Sequence, residues 1–67
     1  MHQLTMKELA LIEDEIRAEA ITAKTLNWCA TQCEDPQVQQ MLEAIAESHQ
    51  LNVANLSQYF NRTKMMQ

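Results

Sequence analysis

Three polar side chains interrupt the apolar stripes that this sequence predicts for its helices. Glu19 lies among apolar residues in the first half of the chain, and His49 and Asn52 lie among apolar residues in the second half. Carboxylate and imidazole groups bind iron, manganese and zinc, and a cation neutralises a carboxylate in an apolar setting. A metal site at Glu19, His49 and Asn52 is therefore one interpretation. The other is a hydrogen-bonded Glu19–His49 pair that fixes helix register without a cofactor.

Two cysteines add a second candidate for chemistry. Cys29 and Cys33 are four residues apart near the end of the first predicted helix, where the geometry is poor for a disulfide within one helix. They could ligate a soft metal together with another chain, bridge to a second molecule when oxidised, or pack as small apolar residues.

Ser48 projects about 100° away from His49 on a helix, which excludes a serine–histidine nucleophile. We therefore expect no enzymatic activity of the ordinary hydrolytic kind.

The elements that position these residues are two helices. Thr5 and Glu8 form the pattern of a capping box, which predicts a helix that begins at Met6. Asp35 can cap a second helix with Pro36 at its first position. The predicted single domain, 1–67, comprises a helix over about 6–33, a corner at 34–35, a helix over about 36–62, and a frayed tail at 63–67.

Each predicted helix carries one apolar stripe at 100° per residue. The stripe of the first helix comprises Leu9, Ile12, Ile16, Ala20, Ala23, Leu26 and Ala30. The stripe of the second helix comprises Val38, Met41, Leu42, Ile45, Ala46, Val53, Leu56, Tyr59 and Phe60. Both are wider than one antiparallel partner covers, so the all-α hairpin is predicted to dimerise with a second copy into a four-helix bundle.

The predicted register brings the polar residues together. Glu19 and His49 each lie about fifteen residues from the corner, and antiparallel helices place such positions at the same height. We therefore expect Glu19 and His49 to face one another across the hairpin, with Asn52 about one turn further along. A two-fold dimer would gather two carboxylates and two imidazoles near the middle of the bundle.

Composition limits the class of protein. The chain has 67 residues, of which 46% are hydrophobic and none is glycine, and its formal charge is -4. A chain this short forms one small domain, and the absence of glycine excludes P-loop and Rossmann sites. The dispersed acidic residues predict no nucleic-acid binding. We find no apolar run long enough to span a membrane and no signal peptide, which predicts a cytoplasmic protein at synthesis.

A second apolar patch is predicted on the outer side of the first helix. Ile21 and Trp28 are seven residues apart and lie opposite the main stripe of that helix. Such residues can form a contact surface between bundles or with another partner, or they can be scattered surface hydrophobes.

The sequence resembles short coat-F-like spore coat proteins of anaerobic spore-forming bacteria over nearly its whole length. The residues that carry the resemblance are Leu4-Thr5-x-Lys7-Glu8-Leu9, the interior Glu19, the corner Asp35-Pro36, Ala46-x-x-His49 and Leu56-x-x-Tyr59. More broadly, the chain is similar to half of a ferritin-like bundle of the rubrerythrin type. That similarity implies that Glu19 takes the place of the helix-one glutamate. His49 and Asn52 then take the places of the Glu and His of a Glu-x-x-His element, so the ligand set is incomplete.

The resemblance implies a structural role in sporulation, in the layers of the spore coat, with the ferritin-like fold retained and its metal site depleted. Its expected partners are a second copy and other coat proteins. One alternative is a ferritin-like protein that binds iron, manganese or zinc through Glu19 and His49 of both chains, with residual oxidase activity. Another is a small helical interaction module that presents its acidic outer face to a partner.

Overall fold

The computed structural model describes residues 4–66, which fold into two helices joined by a short corner. Helix α1 spans Met6–Gln32 and helix α2 spans Pro36–Met66. The two helices pack against each other as an antiparallel hairpin that measures 48 × 17 × 13 Å. The predicted all-helical hairpin is therefore confirmed for this part of the chain.

Helix α1 begins at the predicted capping box. The backbone N–H of Glu8 donates to Thr5 Oγ1 at 3.1 Å, and the backbone N–H of Thr5 donates to Glu8 Oε1 at 2.8 Å. Two backbone donors that have no partner within the helix are satisfied in this way. The predicted start at Met6 is confirmed.

The corner is held by hydrogen bonds on both of its sides. Helix α1 ends at Gln32, and Cys33 adopts an extended conformation while its N–H donates to the Ala30 carbonyl at 3.3 Å. Asp35 Oδ1 accepts from the Gln37 N–H at 2.9 Å, as expected of a residue that caps α2. The side-chain amide of Gln39 donates to the Cys33 carbonyl, which ties the start of α2 to the end of α1.

Helix α2 continues further than the sequence predicted. It runs to Met66, past the predicted end at about residue 62, while Gln67 lies outside the described residues. Fraying of the tail at 63–67 stays a prediction. The physical reason is that neither glycine nor proline follows Pro36, so no residue in this stretch disfavours helical geometry.

The contact between the helices is built from small side chains. The buried apolar residues are Leu9, Ala23, Ala30 and Ala46, and the described residues include no large side chain that is fully buried. The predicted stripe of α1 is buried or half-buried throughout. In α2, Met41, Ile45 and Tyr59 are exposed because they lie along the edge of the stripe and point past α1, as expected for a stripe wider than one antiparallel partner covers. The hairpin alone thus leaves apolar surface uncovered.

The helices among residues 4–66 include no candidate membrane span. Neither α1 nor α2 combines the length and the apolar character needed to cross a membrane.

Candidate functional site

The polar residues predicted to meet across the hairpin do so. The carboxylate Oε2 of Glu19 in α1 and the ring Nδ1 of His49 in α2 form a hydrogen bond between the helices. The Glu19 side chain is 16% exposed and the His49 side chain is 30% exposed. The pair therefore lies at the edge of the helix–helix contact, partly shielded and partly open to solvent.

The neighbourhood of Glu19 favours its ionised form. The hydrogen bond from His49 holds the pKa of the Glu19 carboxyl below its ordinary value, and electrostatic attraction to the imidazole acts in the same direction. Partial burial raises the pKa but does not overcome these effects. The site is thus arranged to keep a carboxylate, held in place by an imidazole donor, between the two helices.

Two further side chains extend this pair into a cluster. Asn52 and Glu15 lie beside Glu19 and make smaller contributions to the lowering of its pKa. Asn52 was predicted to lie inside the stripe of α2, but it is exposed and reaches Glu19 from the rim of the contact. Glu15 was missed in the sequence, although its position one helical turn before Glu19 was a usable signal. We call Glu15, Glu19, His49 and Asn52 the polar cluster.

The polar cluster of one chain does not provide a complete metal site. Among residues 4–66, no group of three or more histidine, cysteine, aspartate or glutamate side chains is arranged to hold a metal ion. The Nδ1 atom of His49 is already directed at Glu19. The donors of a single copy therefore do not fit iron, manganese or zinc, which take four or more ligands in protein sites. A site for these metals would require donors from another chain.

The cysteines lie at the corner end of the hairpin and away from the polar cluster. Cys29 and Cys33 are free thiols, and both are half-buried. Cys33 was predicted to be the last residue of the first helix, but it lies just beyond α1 because its backbone turns to an extended conformation. Partial burial of both side chains agrees with a packing role.

The predicted outer patch is exposed. Ile21 is 64% exposed and Trp28 is 63% exposed, and both lie on the side of α1 that faces away from α2. The two residues remain accessible to a partner in the isolated hairpin.

Comparisons with known proteins leave the chain without an assigned family. No protein-family model matches it, no curated protein matches it, and no solved structure matches it. The resemblance to coat-F-like and ferritin-like proteins therefore stays a prediction from the sequence.

Proposed function

We propose that this chain is a structural protein that pairs with a second copy to form a four-helix bundle and serves as a small unit of a larger assembly. The observation that carries the proposal is the mismatch between core and surface. Among residues 4–62, the buried core consists of one leucine and three alanines, while eight large apolar side chains are exposed. A domain of this size seldom reaches stability on its own without further burial.

The amount of exposed surface supports pairing. The accessible surface of the chain is 5194 Å². A compact monomer of this mass has a surface of about 4,400 Å². The difference is about 800 Å², which equals what each partner buries in a protein interface of ordinary size. A second copy is the simplest partner because the hairpin supplies both complementary surfaces of a closed two-fold dimer.

In this proposal the Glu19–His49 pair has a structural role. A polar contact inside an otherwise apolar helix pair favours one register over the others, since a shifted register would leave the carboxylate unpaired. The resemblance to coat-F-like proteins supports a place for such a unit in a spore coat, together with other coat proteins. The exposed Ile21 and Trp28 offer a contact for that higher assembly.

A metal-binding function is the second candidate, and one observation favours it. Glu15 joins Glu19 and His49, so two copies of the polar cluster would bring together four carboxylates and two imidazoles. That donor set would be rich enough for iron, manganese or zinc. Metal binding of this kind requires that the two copies pair through the side of the hairpin that carries the polar cluster.

Sedimentation equilibrium over a wide range of protein concentration tests the proposed function. We expect a species with twice the chain mass of 7.8 kDa, which dissociates only on dilution. Circular dichroism at the same concentrations should show loss of helix as the dimer dissociates, because the separated hairpin lacks sufficient buried surface. A helical monomer at all concentrations would contradict the proposal.

A further inference from the structure

The two sides of the hairpin differ in charge. On one side, the exposed residues at helical spacing carry no formal charge in α2 and carry only Glu8 and Glu15 as charged residues in α1. We call this set the uncharged side; it comprises Leu11, Ala18 and Thr22 of α1, and Met41, Ile45, Asn52 and Tyr59 of α2. Glu15 of α1 and Asn52 of α2 both lie beside Glu19, so the two sets of residues border the same cluster and share one side of the hairpin.

The other side of each helix is polar and charged. Its exposed residues, again at helical spacing, are Glu13, Arg17 and Lys24 of α1, and Glu43, Glu47, Gln50 and Ala54 of α2. Arg17 there forms an ion pair with Glu13 at 3.2 Å. We call this set the charged side. Charged side chains are depleted from the centres of protein interfaces, so the charged side is the side expected to remain in water.

We propose that a second copy of this chain docks on the uncharged side, so that the two polar clusters meet at the two-fold axis. This inference rests on the proposed dimer and names the surface through which it forms. With a formal charge of -4 on each copy, contact through the charged side would bring acidic residues of α2 together. The uncharged side presents no acidic residue of α2, and it carries three of the exposed apolar residues of that helix.

Docking on this side completes the polar cluster. In the single hairpin, Glu15 and Asn52 are exposed and lie at the rim of the pair formed by Glu19 and His49. A second copy placed over them would exclude water from the pair and supply further hydrogen-bonding groups. The two-fold axis would then pass close to the middle of the helices, where the pair lies.

Matched charge substitutions test the docking surface. Ile45→Glu and Tyr59→Glu introduce a carboxylate on the uncharged side, and Gln50→Glu and Gln58→Glu introduce the same group at exposed positions of the same helix that point elsewhere. We expect the first two variants to raise the dissociation constant of the dimer by roughly 30-fold or more. The two control variants should change it by less than about threefold. Sedimentation equilibrium measures the constant.

Cross-linking provides a readout that does not depend on stability. In a background with Cys29→Ser and Cys33→Ser, Asn52→Cys should be joined between copies by a short bis-maleimide, whereas Gln50→Cys should not. If Gln50→Glu weakens the dimer and Ile45→Glu and Tyr59→Glu do not, then the copies pair through another surface. That result would contradict the proposed docking surface but not the proposed dimer. A wild-type chain that is monomeric throughout would overturn both.

Discussion

Glu19 and His49 are thirty residues apart in the sequence and form a hydrogen bond between the two helices of the hairpin. The bond joins a carboxylate in the middle of α1 to an imidazole in the middle of α2. The corner before Pro36 joins the two helices. The hydrogen bond therefore fixes how far one helix is shifted along the other.

The ionisation of Glu19 makes stability depend on pH. Because the folded chain lowers the pKa of this carboxyl below its ordinary value of 4.5, the ionised carboxylate contributes stability above that value. The contribution is lost as the pH falls through the lowered pKa of the folded state. We expect the melting temperature of Glu19→Gln to depend less on pH in the acidic range. At neutral pH we expect it to be lower than that of the wild type, because the hydrogen bond between the carboxylate and His49 is lost.

Thermal unfolding followed by circular dichroism at a series of pH values checks this expectation. The matched control is Glu47→Gln, which removes a carboxylate from an exposed position of α2. The wild type and the control should lose melting temperature on acidification more steeply than Glu19→Gln. Parallel curves for all three proteins would show that the pair contributes nothing to stability.

Ala46 is 1% exposed and is the most buried of the described apolar core residues. Ala46→Leu should destabilise the protein by about 1–3 kcal/mol, because the added atoms can be accommodated only by separating the helices or straining side chains. Ala44→Leu, an exposed position two residues earlier, should change the free energy of unfolding by less than about 0.5 kcal/mol. Urea denaturation measures both values. Equal effects at the two positions would contradict the packing described for α2.

The capping box at the start of α1 should contribute measurably to stability. Thr5→Ala removes the acceptor for the Glu8 N–H and should cost about 1 kcal/mol of unfolding free energy. Lys7→Ala, in the exposed first turn, serves as the control. Urea denaturation at one protein concentration compares the two. If Thr5→Ala is as stable as the control, then the start of α1 does not limit stability.

The outer patch should affect assembly and leave the dimer intact. Trp28 lies on the side of α1 that faces away from α2, so Trp28→Ser should leave the dimer dissociation constant unchanged and reduce the formation of larger species. Asn27→Ser, at the neighbouring exposed position, should leave both unchanged. Light scattering coupled to size-exclusion chromatography separates the two effects. If Trp28→Ser assembles as fully as the wild type, then the outer patch does not contribute to assembly.

The fold could be predicted largely from local signals. Thr5 with Glu8 predicts a helix start by a reciprocal hydrogen bond, and Pro36 marks the corner because proline restricts the residue before it. The register of Glu19 and His49 followed from their equal distance to that corner. The end of α2 was not predictable in the same way, because frayed and continued helices use the same residue types.

The candidate site was harder to predict than the fold. The sequence identified Glu19 and His49 as a facing pair because both interrupt apolar stripes. It did not identify Glu15, which belongs to a polar face by periodicity and lies beside Glu19 in the folded hairpin. The sequence predicted that one antiparallel partner would leave part of each stripe uncovered, but periodicity alone did not identify Met41, Ile45 and Tyr59 as the uncovered residues.

The central claim is that Glu19 and His49 pair with each other in a structural bundle and do not hold a metal. The most direct test is the elemental content of the purified, untagged dimer, measured by mass spectrometry before and after anaerobic incubation with ferrous iron. We predict iron, manganese and zinc far below one atom per dimer in both samples. A stoichiometric metal that is lost in Glu19→Gln and in His49→Ala would contradict the claim and establish the metal-binding function instead.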